Sequence, residues 1–149
     1  MTCVALTAQD YASARSLYQV LSTGHSLPDF ETGRAAFEEL LAHPGTSILG
    51  AQNEGQIVSM ATLHVLPNMT YQARPYGLIE NVATLPAFSG QGFGKAVMSA
   101  AAELAWCAGA YKIMLLTGRS NNAAGFYRSL GYDADEKHGF ILRAPTDKE

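Results

Sequence analysis

A chain of 149 residues that is 48% hydrophobic and 15% charged can bury one sizeable core and is not disordered by composition. Its net charge of −3 argues against a general nucleic-acid binder, whose footprint would be strongly basic. No apolar run is long enough to span a bilayer, and "MTCVALTAQD" lacks the basic-then-apolar order of a secretory signal, so a soluble cytoplasmic protein without nucleic-acid or membrane partners is expected.

Residues 2–7 read as a short strand, and Asp10 is placed to cap a helix near 11–21 with Ala12, Leu17, Val20 and Leu21 on one stripe. A loop, "STGHSLPDF", leads to a second helix near 31–42, whose face carries Ala36, Phe37, Leu40 and Leu41 and which stops at Pro44-Gly45. Strand 46–52, a turn at Asn53-Glu54-Gly55 and strand 56–65 form a hairpin. After a loop at 67–75, "YGLIENVATL" at 76–85 is a strand closed by Pro86.

A helix near 92–108 ends at Gly109 and has Phe93, Val97, Ala100, Ala101, Leu104 and Ala108 at core spacing. "YKIMLLT" at 111–117 is apolar enough for a strand covered on both faces. "NNAAGFYRSLGY" reads as a short helix ending at Gly131, and "GFILRA" at 139–144 as a last strand. A hairpin followed by alternating helices and strands predicts one α/β (α+β) domain over 1–149, a mixed sheet of about six to seven strands flanked by about four helices. Cys3 and Cys107 read as buried free thiols, and no metal-ligand spacing is present.

The start of the 92–108 helix carries the chemistry. "SGQGFGK" puts three glycines ahead of an alanine-rich run, although glycine costs about 1 kcal/mol against alanine in a helix interior. No acid occurs between Glu80 and Glu103, although acids favour a helix N-terminus. Bare N–H groups beside Lys95 are what a phosphate or pyrophosphate needs. The P-loop pattern fails at Ser89 and Ala96, and the dinucleotide fingerprint fails at Lys95, which disfavours a nucleotide-dependent oxidoreductase.

Gly92 and Gly94 fit a third pattern. The stretch resembles the Q/R-x-x-G-x-G/A segment of the GNAT acetyltransferase superfamily, with Ser89 in place of the leading Arg or Gln and with Gln91 or Lys95 as substitutes. "NNAAGFYRSLGY" is similar to the C-terminal segment of the same superfamily, with Ala123, Phe126, Tyr127 and Gly131 in place and Asn121 or Asn122 standing for the opening Asn. The wording "LIENV" and "YKI" is also similar to glucosamine-phosphate N-acetyltransferases, and size and element order to aminoalkylphosphonate N-acetyltransferases.

The resemblance implies an acetyl-CoA-dependent N-acetyltransferase of the GNAT fold, with no metal, acting on a small primary amine, phosphorylated or not. It places the thioester where strands 76–85 and 111–117 splay apart, with backbone of Val82, Ala83 and Thr84 pairing to the pantetheine. Gly90, Gln91, Gly92, Phe93, Gly94 and Lys95 would hold the pyrophosphate, with Asn121, Asn122, Phe126, Tyr127 and Arg128 also near the cofactor. Tyr127 is then either the acid that protonates the departing thiolate or a core aromatic. Glu80, the one acid in an apolar strand, is expected to be partly buried with a raised pKa and to act as base, directly or through water; otherwise it is a solvent-facing or ion-paired glutamate. His25, Asn68, Tyr71, Arg74, Arg119 and His138 are available for an acceptor pocket, and His64 reads as a packed or edge histidine. Many relatives dimerise, so a homodimer is expected. A protein N-acetyltransferase and a non-catalytic CoA-binding domain are the other readings.

Overall fold

The computed structural model describes residues 1–145. The chain divides into two compact units, Met1–Leu115 and Leu116–Glu149. The first holds a five-stranded sheet in sequential order: β1 (Thr2–Ala5), β2 (Thr46–Asn53), β3 (Gln56–Leu66), β4 (Tyr76–Thr84) and β5 (Ile113–Met114). The first three pairings are antiparallel and β4–β5 is parallel. Glu54 (φ 49) and Gly55 (φ 82) take the left-handed conformations that a tight hairpin turn requires.

Helix α1 (Tyr11–Leu21) and helix α2 (Phe30–Ala42) pack through Tyr11, Ala14, Leu17 and Phe37, together with Leu6 after β1, against Ile48, Met60 and Ala83 of the sheet. The buried stripe of α1 is Tyr11, Ala14 and Leu17, whereas Ala12, Val20 and Leu21 are exposed. Asp10 lies in a 3-10 turn, where its carboxylate accepts from the Thr7 N–H (2.7 Å) and hydroxyl (2.9 Å) and does not cap α1. Asp29 caps α2, accepting from the Thr32 N–H at 3.0 Å.

A one-turn segment, α3 (Thr70–Ala73), precedes β4, and helix α4 (Phe93–Cys107) follows it. The core face of α4 is Phe93, Val97, Met98, Ala101 and Ala105; Leu104 and Ala108 are exposed, which corrects the expected stripe by about one helical position. Both cysteines are free, with Cys3 half-buried and Cys107 exposed rather than buried.

The strand count is five, below the six to seven expected. "YKIMLLT" pairs only at Gly77↔Ile113 and Leu78↔Met114, because β4 carries an extra residue at Asn81 (φ 53) and a bulge bends the strand that bears it. Met114 and Leu116 are therefore exposed instead of covered on both faces. In the second unit, 139–144 forms no strand, and the predicted 121–132 helix shortens to α5 (Ala124–Ser129) after a 3-10 turn at Arg119–Asn121.

Candidate active site

β4 runs through the turn Pro86–Phe88 directly into α4, so the segment from Glu80 to Lys95 is one continuous piece of the first unit. Gly92 is the N-cap of α4, with φ 90, and Gly90 has φ 74; only glycine adopts such angles without strain. A Cβ built on Gly90 meets nothing within 4 Å, and one on Gly92 meets only the end of Met1 at 3.9 Å. These glycines therefore open space in front of the helix instead of relieving crowding.

The first backbone bond of the helix is Ala96 N–H to Gly92 C=O at 3.0 Å. The N–H groups of Phe93, Gly94 and Lys95 thus have no acceptor inside the helix. No side chain caps this end and no acid lies in its first turn, while Lys95 is exposed there. The partial positive charge of a 15-residue helix is left for an anion. Gln91 does not reach forward: its side-chain amide donates to the Ala87 carbonyl at 2.9 Å and ties the turn together. The Phe93 ring is buried against Phe88, centroids 5.8 Å apart, so only its backbone is free for a ligand. The bare cap, the open cradle and Lys95 fit the pyrophosphate of acetyl-CoA.

Upstream, the β4–β5 ladder ends at Leu78↔Met114, so among the described residues the Glu80–Thr84 stretch has no strand partner on that side. Ala83 is buried, and its carbonyl accepts from the Ser59 hydroxyl at 3.0 Å, which in turn lies 2.8 Å from the Thr84 hydroxyl. Val82 is half-buried. Glu80 is exposed, which corrects the expectation of a partly buried carboxylate: its register partner is Thr62, so its side chain leaves the sheet on the Thr62 side, beside the Asn81 bulge.

On that face a pocket of 210 Å³ lies among Tyr11, Arg15, Tyr18, Leu27, Phe37 and Asn81. Burial pushes the Tyr18 phenol pKa up, and the nearby Thr62 hydroxyl opposes the shift; neither hydroxyl makes a well-formed hydrogen bond. None of these residues was expected at an acceptor site. One signal was available: Gly33 sits inside a helical run, where glycine marks close approach.

The residues that were expected there are employed elsewhere or exposed. Asn68 donates to the Thr70 carbonyl (3.0 Å) and hydroxyl (2.9 Å). Arg74 donates to the Gly109 and Ala110 carbonyls, each at 3.1 Å. Tyr71 stacks on Tyr111 at 4.0 Å, which holds the left-handed run of Tyr71, Gln72 and Ala73 (φ 53, 60 and 60). His25 is exposed, and His64 is a half-buried histidine on the central strand β3, not an edge one, its Nδ1 2.8 Å from the Thr46 hydroxyl.

In the second unit, Asn121 closes the 3-10 turn and Asn122 follows with φ 50. Phe126, Tyr127 and Arg128 lie on α5. Tyr127 is half-buried, with the Phe126 ring 5.1 Å and the Tyr132 ring 6.0 Å away. Burial, and secondarily Tyr127, raise the pKa of the Tyr132 phenol. Arg119 and His138 are exposed. Among the described residues no group of three or more His, Cys, Asp or Glu could hold a metal, and no helix is long and apolar enough to cross a membrane.

The model of the acetyltransferase (GNAT) family matches residues 12–132. Glucosamine 6-phosphate N-acetyltransferase of Trypanosoma brucei brucei is 31% identical over 132 residues, covering 89% of this chain and 88% of the relative. A solved protein of Agrobacterium tumefaciens str. C58, provisionally named an acetyltransferase, is 42% identical, with a TM-score of 0.89 over 97% of this chain and all (100%) of the other. A Trypanosoma brucei acetyltransferase structure is 26% identical, with a TM-score of 0.79 over 97% and 99% of the two chains.

Proposed function

The chain belongs to the acetyltransferase (GNAT) family, and from that premise we propose that it moves the acetyl group of acetyl-CoA directly to a primary amine of a small molecule. The observation that carries this reading is the uncapped, acid-free N-terminus of α4 opened by Gly90 and Gly92. The family match runs from residue 12 to residue 132, which supports the reading of a single acetyltransferase domain.

Acetyl-CoA supplies an acetyl thioester. The N–H groups of Gly92 to Lys95 and the Lys95 ammonium hold its pyrophosphate. Gly90 and Gln91 keep the turn open, and Asn121, Asn122, Phe126 and Arg128 flank the cofactor. The unpaired edge of Val82, Ala83 and Thr84 takes the pantetheine as a strand would, and an N–H there polarises the carbonyl. The Glu80 carboxylate, solvent-facing beside the bulge, removes the ammonium proton of the acceptor through water. The Tyr127 hydroxyl gives its proton to the departing sulfur. No covalent enzyme intermediate is needed.

An amino-sugar phosphate is one acceptor in view, on the name of the trypanosomal relative. Free cysteines support a reducing, cytoplasmic setting. A homodimer is proposed as well, with the exposed Phe140, Ile141 and Leu142 as surface for it to cover.

The test is CoA thiol release from acetyl-CoA against amino sugars and their phosphates, aminoalkylphosphonates, amino acids, polyamines and lysine peptides. Turnover with one small-molecule class is expected. Turnover with peptides alone would overturn the small-molecule reading, and silence with acetyl-CoA bound would point to a binding domain.

A further inference from the structure

The pocket between α1 and α2 contains a guanidinium with little to bind. Arg15 is half-buried, and among the described residues only one of its five donors has a partner, Nη1 donating to the Tyr11 hydroxyl at 3.0 Å. Its guanidinium lies over the Phe30 ring at 5.9 Å. The ion pairs among the described residues are Arg34–Glu31 and Arg34–Glu38, so no carboxylate neutralises Arg15. A planar guanidinium with free, parallel donors matches a carboxylate or phosphate.

The surrounding chain is shaped to keep it there. Gly33 lies inside α2, where glycine costs about 1 kcal/mol against alanine. A Cβ at that position would overlap the Tyr11 hydroxyl and lie 3.2 Å from Arg15 Nη1. The glycine leaves room for the Tyr11–Arg15 pair. Apart from Tyr18 and Asn81, the rest of the lining is apolar: Leu27, Pro28, Ala36, Phe37 and Leu40. The cavity volume of 210 Å³ leaves room for a small molecule. Asn81 also lines it, next to Glu80 in the chain.

We propose that this pocket holds the amine acceptor and that Arg15 binds its anionic group, so that the acceptor is an amine bearing a carboxylate, phosphonate or phosphate on an apolar body. This rests on the acetyltransferase reading above and narrows it. A sugar body is disfavoured, because Tyr18 and Asn81 can pair only part of its hydroxyls and each one left unpaired against the apolar lining costs about 1–3 kcal/mol.

The experiment compares wild type, Arg15→Met and Arg15→Lys on five amines: leucine, a 1-aminoalkylphosphonate, glucosamine 6-phosphate, isoamylamine (leucine without its carboxylate) and glucosamine. Leucine or the phosphonate should be the best substrate; which of the two leads tells carboxylate from phosphorus anion. Arg15→Met should lower the ratio of kcat/KM for the anionic amine to that for isoamylamine at least tenfold, as expected for the loss of a charge-assisted bond, and Arg15→Lys should restore part of it. An unchanged ratio overturns the role of Arg15, and a clear preference for glucosamine 6-phosphate overturns the apolar body while leaving the enzyme reading intact. Silence on all amines would count against the enzyme reading. The Arg15 side-chain N–H resonance, identified by its loss in Arg15→Met and titrated with leucine and with inorganic phosphate, then decides the pocket separately: a saturable shift supports anion binding, and no shift overturns it.

Discussion

Replacing a helical glycine with alanine usually stabilises a protein, by up to about 1 kcal/mol. At Gly33 the opposite is expected. The added Cβ falls on the hydroxyl of Tyr11, a residue only 4% exposed, whose ring is held by Phe30 (5.0 Å) and Phe37 (5.4 Å). A rigid ring wedged between two others cannot swing aside cheaply. Overpacking of this kind costs about 1–3 kcal/mol, so subtracting the helix gain leaves a net loss of roughly 1 kcal/mol. For a chain of this size that lowers Tm by about 2–4 °C. Calorimetry reads it directly, with Gly125→Ala as the contrast: Gly125 is also inside a helix, but a Cβ there meets nothing within 4 Å, so that variant should gain stability. A rise in Tm for Gly33→Ala would refute the packing argument.

Tyr127→Phe should lower kcat far more than acetyl-CoA affinity, and an unchanged kcat would remove Tyr127 as the acid. Asp29→Ala should lower Tm at pH 7. The Thr32 hydroxyl and N–H depress the Asp29 pKa, so its stabilisation is full above the unfolded carboxylate value of about 3.9 and fades as pH falls through the lower folded value. The Tm gap to wild type should therefore narrow below about pH 4; a constant gap would mean that the charged carboxylate is not what caps α2. Light scattering should find a dimer that Leu142→Asp dissociates, and a wild-type monomer would dismiss the dimer.

Elements set by local signals were readable from sequence. The Asn53-Glu54-Gly55 turn between two β-rich runs located the β2–β3 hairpin, and α1 begins and ends at the predicted residues. The glycine cradle was also readable, because backbone freedom, missing acids and Lys95 all fall within seven residues. Two kinds of feature were not. "YKIMLLT" and "GFILRA" have strand composition, but composition does not say how far a ladder extends, and β5 loses its partner near the Asn81 bulge. The α1–α2 pocket joins Tyr11, Arg15, Gly33 and Asn81, which only the packing of both helices on the sheet brings together. The stripe of α1 was misjudged for a related reason: Tyr11 is amphipathic and was left off the expected stripe, yet it anchors the aromatic cluster.

Titration calorimetry with acetyl-CoA, on wild type and on Gly92→Glu and Gly94→Glu, tests the cradle at α4 most directly. Each glutamate adds bulk and a negative charge where N–H groups would meet a pyrophosphate. Binding by wild type, and its loss in both variants with far-UV circular dichroism unchanged, is the predicted result. Wild-type affinity in the glutamate variants would contradict the account.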